Sequence, residues 1–297
     1  MTHPLEFYVF LPQMRMTLDD IVSKAQAAEA SGFRGMAFMD HMVPPLAATH
    51  PMHEGFITAT LVAARTEHLR VGHLVLCDSF RHPAVLAREA LALDHVSGGR
   101  FDLGIGSGSV VAEFEPYGIP TLSGPARVQR LGETLQVLRG LWSGQPVDFD
   151  GEFHHLHGAT MAPVPVNHIP IVIGGSGPAT MALVAQHADW WNLPVHRLDH
   201  FEALRSKAGA ARVSLQQMVA FVDTESDRAA VTELARRRFP NYGDGLVIGD
   251  GDELSRHFSA IADRGVERFY LWFADFAAEP TLRKFGDRVI SGLVRSP

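Results

Sequence analysis

The stretch Leu93–Gly106, LDHVSGGRFDLGIG, contains the end of one helix, its stop signal and a buried strand. Proline favours the first turn of a helix and glycine its end, so a leading proline and the following Gly98-Gly99 predict a helix over Pro83–Ser97. The run Arg100–Ile105 then has the composition of a strand, and Gly106-Ser107-Gly108 follows it. A helix that passes through a short turn into such a strand predicts an α/β fold with a parallel sheet.

The same alternation of short apolar runs and helical patterns extends along the chain on both sides of this unit. The predicted strands are Leu5–Phe10, Gly35–Met39, Arg70–Cys77, Arg100–Ile105, Pro170–Ile173, Asp189–Leu193, Gln216–Asp223 and Glu267–Phe273. The helices predicted in the last third are His200–Arg212, Asp227–Phe239 and Asp252–Arg264. Eight strand–helix units need roughly 250 residues, so a chain of 297 residues fits one barrel with insertions, and on length alone it also fits two smaller domains.

Composition and charge exclude several classes of function. The chain is 46% hydrophobic and 20% charged, and its net charge of −7 argues against binding to nucleic acid or to an anionic membrane. Cys77 is the only cysteine of the sequence, so no disulfide can form within the chain, which suits a reducing cytoplasm. The first six residues lack a signal-peptide pattern, and no apolar run approaches the ~20 residues of a membrane span. We therefore expect a cytoplasmic protein.

Polar or glycine-rich clusters stand at the carboxyl end of six predicted strands. In chain order they are Asp40-His41, Asp78-Ser79, Gly106-Ser107-Gly108, Gly174-Gly175-Ser176-Gly177, Trp190-Trp191-Asn192 and Ala274-Asp275. In parallel α/β folds this edge carries the active site, because the strand-to-helix loops converge there. Six clusters suit a closed ring better than a single crevice. We therefore predict a (β/α)8 TIM barrel, a single domain over residues 1–297, with an insertion around 107–167 at the C-terminal mouth that contains a small hairpin.

Two of these clusters have the sequence of ligand-binding turns. In Gly174–Pro178, glycines let backbone amides approach a ligand, and the proline begins a helix whose N-terminus favours an anion such as phosphate. A tight turn without a ligand would use the same residues. Gly104–Gly108 departs from the dinucleotide spacing G-x-G-x-x-G because residue 109 is serine, so we interpret Gly106, Ser107 and Gly108 as close-approach positions under a planar ligand, with a plain turn as the alternative.

The pair Asp40-His41 is titratable and follows a strand. A histidine there can donate or accept a proton near neutral pH, and Asp40 could orient it or bind a ligand hydroxyl. Taken alone, the pair favours a buried structural hydrogen bond. The histidine clusters His154–His157 and His50–His53 lack an acidic residue at ligand spacing, so no metal site is predicted. No G-x-S-x-G elbow follows a strand, so no serine nucleophile is predicted either.

Together these motifs resemble the luciferase-like monooxygenase superfamily, which includes flavin- and F420-dependent oxidoreductases. The matching stretches are Ala28–Phe33, Met39–His41, Arg81–Ala87, Leu93–Gly106, Phe149–Phe153 and Ile173–Asn192. The resemblance implies a (β/α)8 barrel with a flavin-type cofactor in its C-terminal mouth. It implies that Gly174, Gly175, Ser176, Gly177 and Pro178 hold the cofactor phosphate. It also implies that Asp40 and His41 face the ring, with His41 handling the proton. Many relatives have a non-proline cis peptide in the third strand, expected here at or near Leu74–Val75, with Cys77 and Ser79 on the same wall.

Within the superfamily, the Asp-His pair and the stretch Asp78–Pro83 resemble the branch that uses coenzyme F420. That branch implies hydride transfer to or from a small organic substrate. The sugar-phosphate dehydrogenases of this branch have a glutamate where Ser109 stands and a tryptophan near Pro45, and both departures argue against glucose-6-phosphate oxidation.

The alternatives are an FMNH2-dependent monooxygenase that uses O2, a non-catalytic flavin-binding protein and a metal-dependent hydrolase. We expect a homodimer, a separate reductase that supplies reduced cofactor, and a substrate pocket with an apolar wall that includes Pro45, Phe56 and Trp191.

Overall fold

The helix–turn–strand unit of LDHVSGGRFDLGIG forms as predicted in a computed structural model, which describes residues 4–45, 47–241 and 243–294. A helix spans Pro83–Ser97 and a strand spans Phe101–Gly106. Leu46, in the predicted loop after the second strand, and residues 1–3, in the stretch that lacks a signal-peptide pattern, lie outside the described residues. Among the described helices, none combines the length and apolar character needed to cross a bilayer.

The strands are numbered in chain order over the described residues. They are β1 (Glu6–Leu11), β2 (Gly35–Phe38), β3 (Arg70–His73), β4 (Leu76–Cys77), β5 (Phe101–Gly106), β6 (Val147–Asp150), β7 (His155–Ala159), β8 (Ile171–Gly174), β9 (Trp190–Pro194), β10 (Arg212–Phe221), β11 (Leu246–Gly249) and β12 (Arg268–Phe273). The helices are α1 (Leu18–Ala30), α2 (Gly55–Arg65), α3 (Pro83–Ser97), α4 (Gly124–Trp142), α5 (Pro178–His187), α6 (Phe201–Arg205), α7 (Arg228–Arg238), α8 (Gly251–Ala262), α9 (Glu279–Phe285) and α10 (Ser291–Leu293), with a π-helical turn over Gly286–Ile290.

Parallel pairing closes the sheet into a barrel. Within the described residues, the ring runs β1, β2, β3 with β4, β5, β8, β9, β10 and β12, and β12 pairs back to β1. Each of these neighbours is parallel to the next, as helical crossovers require. The prediction of a (β/α)8 TIM barrel is confirmed. The predicted hairpin within the insertion also forms, as the antiparallel pair β6–β7.

The structure departs from the predicted elements in the last third. The helix predicted over His200–Arg212 is only the short α6, because Arg212 already begins β10. The strand predicted over Gln216–Asp223 begins earlier, at Arg212, and includes Ser214, a polar residue that is fully buried in the structure. The strand β11 was not predicted. It pairs with the second half of β10, beyond the residues that pair with β9.

Buried charges occupy the barrel interior near the start of its strands. Asp102 of β5 accepts hydrogen bonds from the Tyr8 hydroxyl at 2.9 Å and from Arg268 at 3.1 Å, and it also pairs with Arg70. Burial alone would raise the pKa of Asp102, but Arg70 and Arg268 hold it below its usual value. Each buried charge has an oppositely charged partner, so these side chains can pack inside this end of the barrel. The active site is therefore expected at the other end, where the strands have their carboxyl ends.

Candidate active site

A cavity of about 220 Å³ lies at the C-terminal mouth, between the ends of β2, β4, β5 and β8. It brings together residues from three of the predicted strand-end clusters, from the third strand and from the loop after β5. Its lining residues are Asp40, His41, Leu74, Val75, Leu76, Cys77, Gly106, Ser107, Gly108, Ser109, Glu113 and Gly174. The structure therefore places most of the predicted site residues around one space, although they are far apart in the sequence.

One wall of the cavity consists mainly of backbone and methyl groups. The predicted cis peptide is present between Leu74 and Val75, in the gap between β3 and β4. Val75 then packs directly beside β5, where a Cβ added to Gly106 would lie 2.9 Å from Val75 Cγ2. The close approach of Val75 therefore favours glycine at 106, and no side chain rises from this position of the wall.

His41 is paired with a carboxylate that the sequence did not predict. Its Nδ1 lies 2.8 Å from Glu113 Oε1, and the backbone amide of Met42 donates to Glu113 Oε2 at 2.9 Å. Glu113 is buried and belongs to a 3-10 turn, Val111–Glu113, in the loop after β5. A carboxylate on Nδ1 fixes the orientation of the imidazole and leaves Nε2 as the nitrogen that can exchange a proton. Nε2 makes no hydrogen bond with any described residue.

Asp40 lines the cavity but makes its hydrogen bonds with residues other than His41. Its carboxylate accepts hydrogen bonds from both terminal nitrogens of Arg81, at 2.7 and 3.0 Å, and from the amide of Cys77 at 2.8 Å. These bonds use both oxygens and tie the end of β2 to β4. Asp40 therefore does not orient His41, which is a correction, and Glu113 takes that position. The sequence did contain a signal for this carboxylate. The sugar-phosphate dehydrogenases have a glutamate where Ser109 stands, and here Glu113, four residues further along the same loop, contacts His41.

The turn after β8 has the features of the predicted anion site. Gly175 has φ +129°, which side-chain-bearing residues rarely adopt, and Gly177 caps α5 without any side-chain hydrogen bond. The first turn of a helix has amides without intrahelical acceptors, so these amides can bind an anion together with Ser176. The indole of Trp191 donates to the Gly175 carbonyl at 2.8 Å and holds the turn from behind.

The residues predicted to form an apolar substrate wall do not lie together. Trp191 is fully buried and stacks on Phe201, and Phe56 is buried and stacks on the ring of His73 at 5.2 Å. Both are buried in the hydrophobic core, which corrects their assignment to the pocket. Pro45 lies at the mouth, in a second cleft described below.

Cys77 and Ser79 differ in their relation to the cavity. Burial raises the pKa of the Cys77 thiol to about 12, so Cys77 is a neutral wall residue and not a nucleophile. Ser79 lies on the following 3-10 turn and does not line the cavity, so its contact with a cofactor stays a prediction. Of the clustered histidines, His154 contacts Thr134 and His155 pairs with Asp150. No group of three or more metal-binding side chains converges within the part of the chain that the structure describes.

Comparison with known proteins decides the family. The family model described as luciferase-like monooxygenase matches residues 4–273. The chain belongs to this family. A luciferase-like relative from Microbacterium testaceum, an F420-dependent glucose-6-phosphate dehydrogenase, is 31% identical over 196 residues, which cover 64% of this chain and 56% of the relative. The FMNH(2)-dependent dimethylsulfone monooxygenase of Pseudomonas putida is 27% identical over 272 residues, which cover 83% of this chain and 74% of the relative. The matches to the F420-dependent relatives thus span only about half of those proteins.

Solved structures agree with the family's fold. An F420-dependent secondary alcohol dehydrogenase in complex with an F420–acetone adduct superposes with a TM-score of 0.82 at 19% identity, covering 99% of this chain and 100% of that one. The long-chain alkane monooxygenase LadA superposes with a TM-score of 0.84 at 16% identity, covering 100% of this chain and 94% of that one. At these low sequence identities, the two superpositions show that the chains share a fold and nothing more.

Proposed function

We propose that this chain is an oxidoreductase that uses coenzyme F420 for hydride transfer to or from a small organic substrate. The observation that carries the proposal is the His41–Glu113 pair, which lines the same cavity as the glycines Gly106 and Gly108. Hydride transfer to or from a carbinol or carbonyl requires a proton donor or acceptor next to the surface that would bind the planar cofactor ring. The F420-dependent names of several relatives support the choice of cofactor.

The residues present fit a deazaflavin or flavin. The wall formed by Val75, Gly106 and Gly108 would accept the flat ring, and the turn Gly174–Pro178 would bind the phosphate through backbone amides. When bound, the cofactor would supply the hydride chemistry. The protein side of the site supplies no competing nucleophile at Cys77, because that thiol stays protonated.

His41 would move the substrate proton. With Nδ1 donating to Glu113, the neutral ring has an unprotonated Nε2 that can accept a proton from a substrate hydroxyl. The imidazolium formed in that step is stabilised by the Glu113 carboxylate at 2.8 Å. In the opposite direction the same ring donates the proton to a carbonyl oxygen. Asp40 contributes by positioning, since its bonds to Arg81 and Cys77 hold the chain on either side of the cavity.

An FMNH2-dependent monooxygenase is the second candidate. The observation that favours it is the dimethylsulfone monooxygenase relative, which matches more of both chains than the F420-dependent dehydrogenase from Microbacterium. F420 and FMN share a tricyclic ring and a phosphate on a ribityl chain, so the same wall and turn serve both. This candidate requires a reductase as a partner. A homodimer and a cytoplasmic location stay predictions.

Fluorescence titrations of the purified protein with oxidised F420 and with FMN separate the two candidates. We expect micromolar binding of F420 and weaker binding of FMN; micromolar FMN binding without F420 binding would transfer the proposal to the monooxygenase. Binding of neither cofactor would reject both. His41→Ala should abolish turnover and leave the titration unchanged, and Glu113→Gln should retain part of the turnover. Unchanged turnover in His41→Ala would remove this residue from the mechanism.

A further inference from the structure

A second and larger cleft opens at the C-terminal mouth, beside the cavity of His41. It has a volume of about 750 Å³ and lies between the chain after β1, the loop after β2, the end of α7 and the segment after β12. Its apolar lining includes Pro45, Phe239, Trp272 and Phe276. The loop that brings Pro45 to the cleft begins at His41, so the two spaces share one border.

The charge of this cleft is opposite to that of the whole chain. Arg15, Arg237 and Arg238 line it together with His50, and among its described lining residues Asp275 is the one carboxylate. Asp275 already accepts a hydrogen bond from the Thr281 hydroxyl at 2.6 Å. The chain as a whole has a net charge of −7. A local excess of cations in a concave, partly apolar site attracts anions from solution.

Arg238 is the most informative of these side chains. It is half-buried, and its guanidinium lies 3.2 Å from the centroid of the Phe276 ring. It makes no hydrogen bond or ion pair with any described residue, and its Nε is shielded from solvent. Burial and the proximity of Arg15 lower the pKa of Arg238 to about 10. Asp275 offsets only part of this effect, since it makes no ion pair with Arg238. Two like charges held close together are costly, and a bound anion would relieve that cost.

The helix dipole explains only part of this cluster. Cations are favoured at a helix C-terminus, which accounts for the exposed Arg236 and Arg237 in the last turn of α7. It does not account for Arg15, which comes from a different element. Arg15 and Phe276 also have φ values of 60° and 59°, a left-handed conformation that non-glycine residues seldom adopt. Such strained positions cluster at ligand-binding sites, and two of them border this cleft.

The anionic end of a cofactor does not explain the cleft. The predicted phosphate turn follows β8, the fifth position of the ring from β1, whereas the cleft lies beside β12, β1 and β2. The two sites therefore face each other across the barrel mouth. A ligand in the cleft would approach His41 from the side opposite to the phosphate turn.

We propose that this cleft is the substrate subsite and that the substrate has an anionic head, a carboxylate or a phosphate, together with an apolar body. Arg15 and Arg238 bind the head, because a guanidinium can donate two parallel hydrogen bonds to either anion. Trp272 and Phe276 contact the body. The identification of the ligand as a substrate rests on the proposed function, whereas the anion site itself does not depend on the cofactor.

The test uses the purified, cofactor-free chain and three probes with the same six-carbon body: hexanoate, hexyl phosphate and hexan-1-ol. Binding is followed by isothermal titration calorimetry and by tryptophan fluorescence, since Trp272 lines the cleft. We expect at least one anion to bind about tenfold or more tightly than the alcohol, the loss expected when a charged hydrogen bond is missing. Preference between hexanoate and hexyl phosphate identifies the head group.

Two variants and one control locate the site. Arg238→Met and Arg15→Asn should each weaken anion binding about tenfold without changing binding of the alcohol, and asparagine tolerates the left-handed backbone at 15. Arg236→Met, an exposed neighbour on α7, should have no effect. Equal binding of the alcohol, unchanged affinity in both variants, or equal weakening by Arg236→Met would overturn the proposal. The F420 and FMN titrations of the same variants report separately on folding and on the proposed function.

Discussion

Lowering the pH to 5 should cost the folded protein about 2 kcal/mol through His73 alone. The side chain is 1% exposed, stacks on Phe56 at 5.2 Å and meets the edge of Phe101 at 6.0 Å. Neither ring nitrogen makes a hydrogen bond of good geometry among the described residues, and the nearby Gly55 backbone and Asp40 offset only part of the effect of burial. Burial is the main cause that lowers the pKa of His73 from 6.5 to about 4 in the folded state.

The direction of the effect follows from which state binds the proton. Below pH 6.5 the unfolded chain takes up a proton at His73, whereas the folded chain does so only near pH 4. The penalty is therefore absent above pH 6.5, grows as the pH falls towards 4 and is constant below that value. Each pH unit within the window costs about 1.4 kcal/mol, and pH 5 lies roughly 1.5 units inside it, which gives the loss of about 2 kcal/mol.

Urea unfolding at pH 7.5 and at pH 5 measures this loss in the wild type and in His73→Leu. Leucine has a similar volume, contacts the same aromatic rings and does not titrate, so the variant should lose about 2 kcal/mol less than the wild type over this range. Titration of other groups, such as the buried His154, cancels in the difference. An equal loss of stability in the two proteins would refute the reasoning.

Three further outcomes follow from the geometry of the site. Arg81→Met should cost about 3–5 kcal/mol in urea unfolding because it leaves the buried Asp40 carboxylate unpaired, and adding Asp40→Asn should recover part of the loss; no recovery would contradict this pairing. Gly175→Ala should cost about 1–3 kcal/mol and abolish cofactor binding, whereas Gly124→Ala, in open space, should do neither. Cys77 should react with iodoacetamide at pH 8 far more slowly in the folded than in the urea-unfolded chain, as followed by mass spectrometry; equal rates would contradict its raised pKa.

Local patterns were sufficient for the fold and for half of the site. Gly98-Gly99 ends α3, the glycine turn precedes α5 and the strand ends carry the polar clusters, because each of these features depends on residues adjacent in the chain. The position of the cis peptide, between Leu74 and Val75, was predicted by the resemblance and is confirmed. The start of β10 was predicted too late, since the buried Ser214 interrupts the apolar run by which a strand is recognised.

The sequence by itself determined the (β/α)8 barrel, the edge that carries the site and the glycine turns of that edge. Only the tertiary structure decided the partners: Glu113 reaches His41 across 72 residues, and Arg81 instead of His41 binds Asp40. Arg15 and Arg238 likewise share a cleft because β1 and α7 border the same sector of the mouth. Turns and helix ends depend on neighbours in the chain, whereas these pairings exist only once barrel closure brings separate loops to one edge.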